Sequence, residues 1–474
     1  ASLAAHADRG QLTPRSAATA AWSLAALRCY DPSLCESVSA ASLAMIWEFG
    51  AQDISNTVWA CARLRFWNQQ LMEGLAPVAS AAILEAGAGR SFRTQELANI
   101  SWSYAPFRLS IPRLLLPIAS ACVGAQAAQF STQQLANLVW SFARLKMLQD
   151  CPAFWSAMTS EALCRIKEFS IPQLAATTWS CALFSQSAEP FLQAAASPMS
   201  AARREEWPPS YMANASWALA RSQIRHSPFM NAVAEFTLAH SHEFSACDLA
   251  RTAWALASLE FRHPQVWDTI ARHAPGKVGQ ASFLDCANLA WSFASLAVSS
   301  PPLMAAVAGA AAPRVRTGGA AGPESLSSTL WAFAVLRTED LPLLGGVAEV
   351  ATSSAGQFSA QGLANLAWAL ATLRHADRPL LQAVSAAVGA KIGSLRGEDW
   401  EVQALANILW SFASLARADG RLLGHLAGAA PRRLHEFSPC QLGGTAWALA
   451  TLAAVVGGAP RTEECYLTWA TTKK

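Results

Sequence analysis

Charge is scarce in this chain: of 474 residues only 14% are Asp, Glu, Lys or Arg, and they balance to a net +3. A uniformly basic coat is therefore excluded, so any anion-binding surface must come from where the cations are placed. Disorder is excluded over most of the length, because 53% of the residues are hydrophobic and Ala dominates a helix-friendly composition. Paired cysteines are also lacking. The eleven thiols are scattered singly with no Cys-x-x-Cys, which predicts buried, structural thiols in a reducing compartment. The uncharged run from Cys286 to Pro313 is broken by Ser299-Ser300-Pro301-Pro302, and no membrane insertion is expected. There is no GxxxxGK[ST] phosphate loop and no GxSxG elbow. His240 and His242 lack a Cys or carboxylate set at metal-ligand spacing and read as surface histidines. The chain thus predicts no enzyme, no metal and no cofactor. It opens on Ala1 rather than Met, so a targeting segment is not read from it directly.

What the chain has is tryptophan in a repeating context. Twelve stand at Trp22, Trp59, Trp102, Trp140, Trp179, Trp217, Trp254, Trp291, Trp331, Trp368, Trp410 and Trp447, 37 to 43 residues apart. A period near 38 fits one helix-turn-helix unit, two helices of twelve to fifteen residues with short connections. Three residues after the Trp stands Ala in all twelve copies, and five before it Leu in eight. Ten before it an aromatic stands in nine copies, among them Phe49, Phe130, Trp207 and Trp400. These columns predict a first helix with a broad apolar stripe, capped by residues such as Ser131 and Ser359 and stapled by the aromatic. The second helix shows as Pro264 to Ala274 and Pro379 to Val388. The longer gaps place insertions at Ala86 to Arg93 and Gly393 to Glu398, in connections. Thr19, in place of the usual Asn, suits an atypical first repeat. The expected fold is all-α, a right-handed superhelical α-solenoid of about twelve repeats over residues 1–458, with a tail at 459–474. The Trp column is expected to be core spacer, with base stacking the lesser reading.

The segments Gln95 to Ala105 (QELANISWSYA), Gln133 to Leu145 (QQLANLVWSFARL), Gln361 to Leu373 (QGLANLAWALATL) and Gln403 to Leu415 (QALANILWSFASL) resemble the octotricopeptide repeat. The pattern is similar to the related heptatricopeptide repeats and the FAST kinase-type leucine-rich region, and spans about nine tenths of the chain. The resemblance implies an RNA-binding solenoid acting in mitochondria, slightly favoured, or in chloroplasts, on RNA processing, transcript stability, translation or ribosomal RNA metabolism in a ribonucleoprotein. Many members carry a C-terminal RAP domain. No such segment is recognised after Gly458, so nuclease-like activity is not expected.

With the Trp at zero on a 100° wheel, the positions seven before, three before and four after it fall within about 40° of one another. Seven before stand Gln52, Gln95, Gln133, Gln361 and Gln403; three before stand Asn56, Asn99, Asn137, Asn214, Asn288, Asn365 and Asn407. Four after, Arg63, Arg144 and Arg221 are basic; six after, Arg28, Arg65, Arg108, Lys146, Arg337 and Arg374. If this edge lines a groove, the cations hold phosphates while the amides meet base edges, one repeat to a nucleotide. Two plainer readings stay open: the Asn column as a buried ladder between helices, and the cations as complements of helix dipoles. In the ladder case, base reading moves to the variable column six before the Trp: Asp53, Glu96, Gln134, Tyr211, Asp248 and Asp285. The expected partner is single-stranded RNA, an organellar transcript or ribosomal RNA, with protein partners in the same particle. The alternative is a protein-binding scaffold of armadillo or HEAT type, favoured by low charge and Ala-rich surface.

Overall fold

The structure, a computed structural model, describes residues 12–85, 92–147, 149–184, 188–317, 322–394, 400–416, 424 and 431–456. It divides into two units, Ala1–Val233 and Ala234–Lys474. The described residues form α-helices and short 3-10 turns, with no strand among them. In chain order the helices are α1 (Pro14–Ala26), α2 (Pro32–Ala44), α3 (Ala51–Leu64), α4 (Gln69–Leu84), α5 (Thr94–Tyr104), α6 (Pro112–Ala121), α7 (Thr132–Arg144), α8 (Pro152–Cys164), α9 (Ile171–Phe184), α10 (Glu189–Ala201), α11 (Pro209–Arg221) and α12 (Ser227–His240). They continue as α13 (Ala246–Ser258), α14 (Pro264–His273), α15 (Phe283–Ser295), α16 (Pro301–Arg316), α17 (Pro323–Val335), α18 (Leu341–Ser354), α19 (Ala360–Thr372), α20 (Arg378–Ser394), α21 (Val402–Ser414) and α22 (Pro439–Val456).

Each unit is an α-solenoid stack of helical hairpins. Every Trp-bearing helix packs on the Trp-bearing helix one repeat away, α1 on α3 on α5 on α7 on α9 on α11 in the first unit. In the second, α13, α15, α17, α19, α21 and α22 do the same. The intervening helices form a parallel layer: α2 on α4 on α6, and α14 on α16 on α18 on α20. Both predicted second helices appear, starting at Pro264 and, one residue earlier than expected, at Arg378. Residues 86–91, 395–399 and 457–474, which hold most of both insertions and the tail, lie outside the described residues.

The local chemistry of the first helices is uniform. Ser131, Ser245, Ser282 and Ser359 each accept a hydrogen bond from the third backbone N–H of α7, α13, α15 and α19. Upstream, a 3-10 turn such as Ile46–Glu48 or Ile166–Glu168 delivers the aromatic, Phe49 or Phe169, into the core. The Ala column is buried from Ala25 through Ala413 and exposed only at Ala450, on the last described helix. A larger side chain there would push neighbouring first helices apart. Under it lie packed rings: Phe142 on Phe154 at 4.1 Å and Trp155 on Phe184 at 4.7 Å.

The thiols follow the same geometry. Cys61, Cys122 and Cys181 are buried among apolar groups, and desolvation pushes each up to about 12 from the ordinary 9.0. They stay protonated and unreactive at neutral pH. Because the folded values are raised, the stabilisation is complete below pH 9.0 and fades as the pH climbs toward about 12. Brief treatment with a maleimide should label Cys29, Cys164 and Cys440, the exposed thiols among the described residues, before these three. Peptide mapping that finds Cys61 or Cys181 labelled as fast as Cys29 would contradict the packing.

Candidate nucleic-acid interface

A helix with neighbours on both sides and a second layer beneath it can leave only a narrow strip open. In α7 the buried positions are Leu135, Ala136, Leu138, Val139, Ser141, Phe142 and Ala143. On the wheel they sweep more than half the circumference. Apart from Thr132 and Gln134 in the first turn, what remains are Gln133, Asn137, Trp140 and Arg144, seven before, three before, at and four after the Trp position. The open strip is the one the spacing predicts, but it includes the indole. Trp22 is 45% exposed, Trp368 and Trp410 are buried, and the other nine are half-buried. Apart from Trp368 and Trp410, the Trp column is therefore not deep core. Trp254 and Trp291 of successive repeats lie 6.3 Å apart between ring centroids.

The amides form a network, but not the one expected. Gln95, Gln133, Gln361 and Gln403 each donate through Nε2 to Oδ1 of the Asn one turn on, Asn99, Asn137, Asn365 and Asn407, at 2.7 to 2.9 Å. The cross-repeat bonds are made by glutamines: Gln134 Nε2 to Gln95 Oε1 at 2.9 Å, Gln173 to Gln133 at 3.0 Å, and Gln441 to Gln403 at 2.6 Å. The Asn column is thus not a buried interhelical ladder; Asn407 alone of the seven is buried, and Asn56, Asn99, Asn137, Asn214, Asn288 and Asn365 are half-buried. With their oxygens occupied, Asn99, Asn137 and Asn365 keep Nδ2 donors that no described residue accepts. Gln52 and Asn56 make no such bond among the described residues.

The column six before the Trp is structural. Asp53, Glu96, Gln134, Asp248 and Asp285 each accept the backbone N–H three residues upstream, at Gly50, Arg93, Ser131, Ser245 and Ser282, closing the helix start. A side chain locked into its own helix start is poorly placed to read bases. Tyr211 alone of the six makes no such bond, since Pro208 caps its helix by backbone alone.

The cations separate into two populations. One ties repeats together. Arg165 donates to the Phe130 carbonyl one repeat back at 2.6 Å while pairing with Glu168 at 2.8 Å. Arg433 does the same to the Trp400 carbonyl and Glu436, and Lys277 to the Phe244 carbonyl. Glu168 and Glu436 lie immediately before aromatics, as do Glu48, Glu206 and Glu243, a recurrent pair that the spacing of Trp alone does not bring out. Glu243 is shared by His240 at 2.9 Å and His242 at 3.5 Å, and the His240 hydrogen bond holds its carboxyl below the usual range. No group of three or more His, Cys, Asp or Glu suited to a metal ion occurs among the described residues.

The other population sits just past the ends of the first helices. Arg28, Arg65, Arg108, Lys146, Arg337 and Arg374 all adopt the left-handed conformation, as do Gln223, Glu260, Ala297 and Ala416 at the same place, φ 49 to 61°. The next described residue closes the helix, for instance Cys29 N to Leu24 O at 2.9 Å and Met147 N to Phe142 O at 3.0 Å. Glycine is the residue that takes this conformation without strain, yet none of these ten is glycine. A β-carbon there costs about 1 to 2 kcal/mol. A cation at a helix C-terminus returns only about 0.3 to 1 kcal/mol. Dipole complementation does not repay that strain, which the non-cationic Gln223, Glu260, Ala297 and Ala416 bear as well. Arg28, Arg65, Arg108, Lys146 and Arg337 are exposed and have no acidic partner among the described residues, and the same holds for Arg63. Arg221 differs: it lies over Trp217 at 5.4 Å and donates to the Ala182 carbonyl at 3.2 Å. Arg28, Arg65, Arg108 and Lys146 come from four successive repeats, so the first unit carries an unbroken row of cations beside its amide strip.

No protein-family model matches the chain, and no curated protein matches it. No described helix is long and apolar enough to cross a membrane.

Proposed function

We propose that the chain binds single-stranded RNA along the open strip of its first helices, with the left-handed row of cations holding phosphates. The observation that carries this reading is the row itself: Arg28, Arg65, Arg108 and Lys146 stand exposed in successive repeats with no acidic partner among the described residues. The strip beside it offers mainly donors, the Nδ2 groups of Asn99 and Asn137, and its partner should be rich in acceptors. RNA phosphates, 2′-hydroxyls and base edges have that character. Organellar RNA processing, stability, translation or ribosomal RNA metabolism is the proposed setting, supported by the resemblance of the Leu-Ala-Asn segments to octotricopeptide repeats.

The test is binding of the whole chain to a random single-stranded RNA pool over a salt series. Affinity should fall linearly in log salt, with a slope of about 0.7 per phosphate contacted. A flat response, or no binding, would remove RNA and leave the protein-scaffold reading.

A further inference from the structure

Two large aromatic side chains stand exposed on corresponding loops of the first two repeats, apart from Trp47, 71% exposed, in the connection between α2 and α3. Tyr30, 56% exposed, lies in the connection between α1 and α2; Trp67, 44% exposed, lies in that between α3 and α4. Each follows a left-handed arginine by two residues, Arg28 and Arg65. At the corresponding place in the third repeat stands Ser110. Single exposed aromatics are ordinary on any surface. These two recur at one repeat position, each beside a guanidinium with no acidic partner among the described residues, and neither ring has a polar partner there. Trp67 is backed by the Phe107 ring of the next repeat at 5.0 Å and 49°, which limits its motion. The nearest acidic group in sequence, Asp31, is engaged: its Oδ1 accepts the Leu34 N–H at 3.1 Å and caps α2. Asn68 Oδ1 does the same for Leu71 at 3.0 Å. The edge thus presents cation and ring, cation and ring, with the Arg108 guanidinium next in line.

We propose that Tyr30 and Trp67 are stacking platforms for unpaired bases of the bound RNA, with Arg28, Arg65 and Arg108 on the intervening phosphates, forming a sequence-tolerant anchor in the first repeats. Every base has a π-face, so rings combined with backbone cations grip a strand whatever its sequence. The inference rests on the RNA-binding reading above.

Binding of twelve-nucleotide uridine and adenosine homopolymers to the whole chain tests it. The double variant Tyr30→Ala, Trp67→Ala is expected to weaken both at least about tenfold, given about 1 to 3 kcal/mol per stacked base. The salt slope should stay unchanged, because no cation is removed. Tyr30→Phe, Trp67→Phe should retain wild-type affinity. Tyr30→Ala alone, at a side chain 56% exposed, guards against a folding defect. Photocrosslinking with 4-thiouridine should yield adducts on the peptides holding Tyr30 and Trp67. If wild-type chain binds with a steep salt slope but the double Ala variant stays within twofold, the anchor is refuted and the RNA reading stands. If wild-type chain binds neither homopolymer nor pool, both fall.

Discussion

Reversing Arg28, Arg65, Arg108 and Lys146 to Glu together should weaken single-stranded RNA binding by roughly a hundredfold or more near physiological salt, and lower the log–log salt slope by about 3, at about 0.7 per phosphate contact. The four residues are exposed and lack acidic partners among the described residues, so no ion pair is broken by the exchange. A second set, all four changed to Gly, separates binding from stability. Glycine relieves the left-handed strain of about 1 to 2 kcal/mol per site and gives up about 0.3 to 1 kcal/mol of dipole interaction. The Gly set should therefore melt no lower than wild type while binding RNA weakly. A clear drop in melting temperature with affinity intact would show that the cations serve the helix ends and nothing else.

The second large effect is expected in the core of the first unit. Phe142→Ala removes a ring that is fully buried and stacked on Phe154 at 4.1 Å, and should cost about 3 to 5 kcal/mol. Trp140→Ala, two residues earlier, removes a bigger side chain from the half-buried strip and should cost less, about 2 kcal/mol. Urea unfolding followed by circular dichroism measures both. If Trp140→Ala proves as costly as Phe142→Ala, the indole belongs to the core and the open strip is narrower than described.

Much of this architecture is legible in the residues themselves. The Trp spacing gives the repeat, the Ala column gives the close approach of first helices, and the offsets of Gln133, Asn137 and Arg144 give the open strip, because helical periodicity follows directly from backbone geometry. The depth of Trp140 is not legible. An indole suits a core and a rim equally, and the choice depends on how far neighbouring helices wrap around it. The role of Gln134 is hidden for a related reason: a polar residue three after a Ser reads equally as a helix-closing group or a ligand contact, and the structure shows one amide both closing its helix and reaching Gln95. The left-handed conformation at Arg65 is least visible of all. Glycine is what ordinarily announces it in a sequence, and here it is absent.

The tie from Arg165 to the Phe130 carbonyl, repeated by Lys277 on Phe244 and Arg433 on Trp400, makes these three junctions a hook on one repeat and an eye on the one before. A duplication or excision whose joints keep each of these pairs together preserves the ties, whereas one that splits a pair leaves its carbonyl without a donor.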